Sequence, residues 1–309
     1  MLSRCWPGLV RSSCAQGLRV LAVVALGLGL LGVGARPAAA DGNPPPLPGK
    51  SYDYAYDGAD VQHPERAWLG RVFVHERVAA SPERPVPLLV FLHGTNKDLV
   101  PYRWMDSGDD GDLRRIVGRL IDAGKIEPVI VATPSSVVES AISQAYNAWP
   151  RFDLDNFVAR TAERLKGIAT IDLSRVIVAG HSGAGCNLKG GLVTATQAKN
   201  HPFAALSIDT CQRPDIARHL VRLPVETKVI VTWQDMTWPS RALEDFETAF
   251  KHARKRAAFP PGTVRTLDHM MPRGTNPHDS MVPTTLAKYL PVLVPPPPSG
   301  GTATVAAAR

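Results

Sequence analysis

The stretch Val176-Ile177-Val178-Ala179-Gly180-His181-Ser182-Gly183-Ala184-Gly185 constrains this chain more than any other. Its β-branched run predicts a buried strand, and the run stops on Gly-His-Ser-Gly with small residues behind it. This is how a strand looks when it feeds a sharp turn that presents a serine hydroxyl above the strand end. Such a turn needs tiny neighbours, because the strained serine has a strand on one side and a helix on the other. Gly180 and Gly183 supply the room. Ala184 stands where G-x-S-x-G has its last glycine, and Gly185 follows it; alanine is small enough to serve. The competing reading is a phosphate-binding loop, which needs G-x-x-x-x-G-K-[ST] or G-x-G-x-x-G. The stretch has neither, and the one match to the latter, Gly27 to Gly32, falls in an apolar leader.

Three other segments fall into line with it. Pro87 to Leu92 reads as another buried strand and ends on His93-Gly94-Thr95. Lys228 to Thr232 is a strand that finishes on Trp233-Gln234-Asp235. Asn276-Pro277-His278-Asp279-Ser280 precedes a helical stretch from about Pro283 to Leu290. In chain order these give a His-Gly loop, a serine, an acid and a histidine. At these residues the chain resembles the α/β-hydrolase superfamily, whose triad runs Ser, Asp, His. The resemblance spans about Ser51 to Leu290. It implies the α/β-hydrolase fold: a mostly parallel central sheet with helices on both faces.

The residues between the motifs alternate accordingly. Strands are expected at Leu69 to Val78 (opening the sheet), Pro87 to Leu92, Pro128 to Ala132, the serine strand, Ala204 to Ile208, Lys228 to Thr232 and Thr263 to Leu267. Helices are expected at Asp112 to Ala123, Asp153 to Leu165 and Ser240 to Arg256, with Asp153 and Asp155 at the positive end of the second. Strands alternating with helices argue for a parallel sheet on their own account. The domain reading is a signal peptide over 1–40, a flexible Pro- and Gly-rich lead-in over 41–50, the hydrolase domain over 51–294 and a disordered Pro-, Gly- and Ala-rich tail over 295–309.

A serine hydroxyl is a weak nucleophile until a base takes its proton, so Ser182 needs a histidine within reach. His278, in a loop between the final strand and a helix, stands where the superfamily has its base. His269, almost on the strand end, is the alternative. The imidazole needs a carboxylate to fix its tautomer. Asp235 ends the strand after which the family's acid usually comes and is the preferred candidate; Asp209, one strand earlier, is the runner-up and could equally cap the next helix. The oxyanion donors implied are the backbone N–H groups of Gly183 and Thr95. His93 and His181 are read as packing residues, and Asp106 to Asp112 as a solvated loop. No His or Cys spacing resembles a metal-ligand set, and no cofactor is implied.

The leader has arginines early, an apolar run from Val20 to about Ala35 and Ala38-Ala39-Ala40 before Asp41. The run is short for a membrane span, so the mature protein is expected to be secreted or periplasmic without stable membrane insertion; the long n-region keeps an uncleaved anchor as the alternative. Four of the 35 basic residues (Arg4, Arg11, Arg19 and Arg36) lie in this acid-free leader, so the formal charge of +7 falls to +3 beyond it. No basic stripe with interleaved aromatics suggests nucleic acid; Lys251 to Arg256 reads as a solvated helix face. Cys186 and Cys211 then remain. In the α/β-hydrolase order their strands are neighbours, and an oxidising compartment favours a disulfide between them over two buried thiols.

Cap domains of the superfamily commonly enter before the acid-bearing strand. Cys211 to Thr227 holds room for only one short helix, so no large cap and an open site are expected. An open site suits a bulky, even polymeric, ester. The resemblance implied is to exported capless feruloyl and acetyl esterases and polyhydroxyalkanoate depolymerases, with Ser135 to Arg151, including Tyr146 and Trp149, a candidate acyl-side lining. A serine peptidase or acyltransferase would use the same triad, and a non-catalytic binding protein could keep the same fold.

Overall fold

The computed structural model describes residues 45–56, 68–95, 100, 102–106, 111–135, 149, 152–236 and 239–297. The expected signal peptide and nearly all of the expected tail lie outside these residues, as does most of the segment from Ser135 to Arg151.

Eight strands form one sheet: β1 (Gly49–Tyr56), β2 (Trp68–His75), β3 (Pro85–Leu92), β4 (Ile130–Ser135), β5 (Thr170–His181), β6 (Ala204–Ile208), β7 (Lys228–Trp233) and β8 (Arg265–His269), in the order β1-β2-β4-β3-β5-β6-β7-β8. β1 pairs antiparallel with β2 and β2 antiparallel with β4; every pairing from β4 to β8 is parallel. The continuous apolar run of β3 explains itself here. Leu88, Val90 and Leu92 belong to the core on one face, with Val176, Val178 and Phe157. Leu89 and Phe91 belong to the core on the other, with Ile177, Ala179 and Leu286. A parallel strand covered on both faces has no side left for polar residues.

The helices are α1 (Glu76–Ala79), α2 (Leu113–Asp122), α3 (Leu154–Arg164), α4 (Gly191–Ala195), α5 (Pro214–Val221), α6 (Ser240–Ala257) and α7 (Pro277–Leu293). Asp112 and Asp153 cap α2 and α3, their side chains accepting from the N–H of Arg114 and Asn156. Capping satisfies donors that a helix start leaves open. It also corrects the reading of Asp112 as solvated: it is buried and paired with Arg114, while Asp106 pairs with Arg71.

Two further expectations are revised. The lead-in stops short of residue 50, because Gly49 and Lys50 already belong to β1, which opens the sheet ahead of β2. Tyr52, Tyr54 and Tyr56 alternate along it towards the core; Tyr56 meets the Phe157 ring edge-on at 5.0 Å. The final helix begins at Pro277 rather than Pro283, with Asn276 as its cap. Proline is tolerated in a first turn, whose N–H groups have no intrahelical partner. Between β6 and β7 the chain forms only α5, eight residues long, so no large cap enters there.

Candidate active site

β5 delivers Ser182 at the C-terminal edge of the sheet with φ 54°. This left-handed conformation is costly for a residue with a side chain and is held by what surrounds it. Its neighbours are correspondingly small. A Cβ on Gly94 would lie 2.5 Å from the Ser182 Cβ and 3.0 Å from its Oγ, and one on Gly180 would lie 3.0 Å from the Leu192 Cβ. The helix expected after the serine takes the form of one 3₁₀ turn, Ser182–Gly185, followed by the five-residue α4. Gly183, buried at the start of that turn, is the residue whose N–H the turn leaves without an intrahelical acceptor.

Ser182 lines a cavity of about 290 Å³ together with Gly94, Thr95, Arg103, His181, Asn276, His278 and Asp279. The structure thus gathers four sequence-derived candidates, Ser182, His278, Thr95 and (next to the serine in chain) Gly183, at one place. Residues 96–99 of the loop that follows Thr95 lie outside the described residues.

The two acid candidates meet different histidines. His278, in the first turn of α7, has its Nδ1 2.5 Å from Asp209 Oδ2, and the Asp209 carboxylate is fully buried. Asp209 follows β6 directly with φ 45°, its N–H donating to the Thr232 carbonyl. Gln234 holds it from the far side: its side-chain Nε2 donates to Oδ2 at 2.6 Å and its backbone N–H to Oδ1 at 3.4 Å. Asp235 instead lies 3.6 Å from His269, with both side chains about half exposed. The reason is positional. β6 is hydrogen-bonded to the serine strand, whereas β7 is one strand further out and its final residue Trp233 pairs with His269 on β8. An acid at the end of β7 therefore meets the β8 histidine, and one at the end of β6 meets His278.

Two buried histidines pack beneath this pair. His93 Nδ1 and the Gly94 carbonyl are 2.8 Å apart, a hydrogen bond that places the proton on Nδ1, and burial pushes its pKa down to about 4. The Trp149 indole N–H donates to the His93 carbonyl at 2.8 Å and its ring lies edge-on to His93. His181 stacks on His278 with ring centroids 4.5 Å apart and donates from Nε2 to the His278 carbonyl at 3.1 Å. Burial, then the neighbouring His278, keeps His181 far below the usual histidine range. Both are therefore neutral, and both serve as packing, His181 with the added task of tethering the turn that bears His278. Sequence reasoning missed that tether, the Gln234 clamp and Arg103; none of them has a spacing signature.

His181, His278 and Asp279 offer donor atoms within 4.8 Å of one another. His278 Nδ1 is engaged by Asp209 and His181 Nε2 by the His278 carbonyl. Cys186 and Cys211 form a disulfide, Cα atoms 5.0 Å apart, that joins the serine turn to the segment after β6. Among the described residues no helix is long and apolar enough to cross a membrane.

No protein-family model matches the chain, and no curated protein matches it. Solved structures do. A ferulic acid esterase aligns with a TM-score of 0.56 at 15% identity, over 81% of this chain and 99% of its own. The feruloyl esterase module of Clostridium thermocellum, as an S954A mutant with sinapinate, aligns with a TM-score of 0.54 at 16% identity, over 82% and 90%. An S-formylglutathione hydrolase from Agrobacterium tumefaciens gives 0.50 at 14%, over 79% and 94%. At such identities the likeness is one of architecture, and together with the strand order it establishes that this chain has the α/β-hydrolase fold.

Proposed function

We propose that this chain is an exported serine hydrolase that cleaves carboxylic esters through an acyl-enzyme on Ser182, with His278 as base and Asp209 as its acid. The observation that carries the reading is the hydrogen bond between His278 Nδ1 and the buried Asp209 carboxylate, beside a serine held at positive φ in the same cavity. In the proposed cycle Asp209 accepts from Nδ1–H, which leaves Nε2 unprotonated to take the Ser182 proton. Oγ adds to the ester carbonyl, and the oxyanion accepts from the N–H groups of Gly183 and Thr95. The tetrahedral centre collapses, the imidazolium protonates the departing alcohol, and an acyl-serine remains. Water then adds to that acyl group, giving its proton to His278, and the acid leaves as Oγ is reprotonated.

Ester rather than amide chemistry is supported by the nature of the structural neighbours, which are esterases and an S-formylglutathione hydrolase. The short connection between β6 and β7, which holds only α5 and no large cap, supports a bulky or polymeric ester. The Cys186–Cys211 disulfide and the leader composition support an oxidising, exported location.

The test is a panel of p-nitrophenyl esters of rising acyl length beside peptide amides, on mature protein and its Ser182→Ala form. Ester turnover abolished by the substitution is expected. Turnover of amides in preference would make the protein a peptidase, and equal fluorophosphonate labelling of both forms would remove Ser182 from the chemistry.

A further inference from the structure

A second cavity, of about 620 Å³, adjoins the one at Ser182, and Arg103, Asn276 and Asp279 line both. This basin lies between the segment after β3, the last turn of α2 and the start of α7. Three arginines from three separate elements converge on it: Arg103, Arg119 of α2 and Arg273 in the loop before α7. Among the described residues their guanidinium groups have no hydrogen bond or ion pair with protein. Other arginines set against the fold spend theirs. Arg71 pairs with Asp53 and Asp106, Arg114 with Asp112, and Arg175 with Glu127 and Asp172. Arg265 is buried against the carbonyls of Val221, Leu223 and Thr227.

Asp279 is the only acid among the described residues lining the basin, and its carboxylate already accepts from Asn276 Nδ2 at 2.6 Å. Counted over the described residues, the lining carries a surplus of positive charge on a concave wall, the geometry that concentrates an anion. Arg103 also sits near enough to the serine cavity for its charge to act, after burial, on His93 and His181.

We propose that this basin binds carboxylate groups of the substrate, so that the ester presented to Ser182 carries negative charge on a part that does not react. The planar fork of a guanidinium matches a carboxylate with two parallel hydrogen bonds. Arg103, shared by both cavities, takes the carboxylate next to the reacting ester; Arg119 and Arg273 take those further along. A small acidic ester would use the first alone, and an esterified acidic polysaccharide would use all three. The inference rests on the proposed ester hydrolysis, and its test separates the two.

The assay compares matched esters at low and high salt. 4-Acetoxybenzoate against its methyl ester places the charge on the alcohol side; p-nitrophenyl hemiglutarate against p-nitrophenyl valerate places it on the acyl side. In one pair the anionic member should be favoured in kcat/KM by about 10-fold at low salt, shrinking to about 2-fold when salt screens the charges. Arg119→Gln and Arg273→Gln should each lower that ratio by about 2- to 5-fold through KM if the extended mode operates. Only Arg103→Gln should do so for a single small carboxylate. Arg84→Gln, the same charge removed at the opposite edge of the sheet, should leave the ratio alone.

Acetylated polygalacturonate against acetylated xylan identifies the polymer as source if the former is preferred more strongly than either small anionic ester. A ratio at or below one in both pairs, or one that none of the three substitutions lowers, overturns the basin while ester hydrolysis stands. Should no ester be cleaved, oligogalacturonate titrated into the intact protein still decides. Binding weakened by salt and by the paired Arg119→Gln and Arg273→Gln change supports the basin, and absence of binding refutes it.

Discussion

Asp209→Asn is the substitution that presses hardest on the proposed site. The shape is nearly unchanged, but one oxygen of the carboxylate becomes a donor. In the native arrangement Oδ2 accepts from both His278 and Gln234 Nε2, and Oδ1 faces the Gln234 N–H. An asparagine has one acceptor for these donors. If its NH₂ takes the Oδ2 position, His278 must turn Nδ1 into an acceptor and move its proton to Nε2, where it can no longer receive the Ser182 proton. If its oxygen stays there, the NH₂ confronts the Gln234 N–H, and the imidazolium formed during catalysis has lost its charged partner. Either way kcat should fall by about 10³- to 10⁴-fold, some 4–5 kcal/mol of barrier, the scale on which a triad depends on its acid. Asp235→Asn removes a half-exposed charge 3.6 Å from His269 and should change kcat by no more than about 2-fold. The measurement is kcat and KM for p-nitrophenyl butyrate on both variants, with thermal melts to confirm that each is folded. Greater damage from Asp235→Asn, with both folded, would refute the Asp209 assignment and the strand argument behind it.

Gly94→Ala should abolish ester turnover while leaving a folded protein, because the new Cβ would sit 2.5 Å from the Ser182 Cβ; an active, stable variant would show that the loop after β3 is free to yield. Exported protein should have no thiol titratable under denaturant until reductant is added, and reduction should cost about 3 kcal/mol, or some 6–10 °C in Tm, by loss of the loop constraint. Stability should fall between about pH 7 and 5.5. Unfolded histidines protonate near pH 6.5, whereas folded His93 waits until about pH 4 and His181 is shifted the same way, so the unfolded chain binds more protons throughout that window. Each histidine contributes about 1 kcal/mol of loss by pH 5.5; urea midpoints that stay flat over the range would contradict neutral, buried imidazoles.

The serine turn and the parallel core strands are legible in the chain itself, as is the histidine proposed as base. Each is signalled locally: a β-branched run ending on Gly-His-Ser-Gly, apolar segments with no polar face, and His278 late in the chain before a helix. The caps Asp112 and Asp153 are local too, although the burial of Asp112 against Arg114 is not. β1 escaped because its alternating tyrosines follow a proline-rich stretch, and only the partner strand β2 and the core around Phe157 make an edge strand of them.

The proposed acid was beyond local signals altogether. Asp209 and Asp235 each follow an apolar strand, and nothing in either neighbourhood ranks one above the other. Strand order ranks them: β6 lies against the serine strand, β7 against β8, so one carboxylate is buried beneath His278 and the other is left beside His269 at the surface. The same holds for the arginine basin. Arg103, Arg119 and Arg273 are scattered through the sequence, and their convergence exists only because α2, the segment after β3 and the approach to α7 meet beside Ser182. Charge and hydrogen bonding act through space over a few ångströms, and only the tertiary fold decides which distant residues fall within that range.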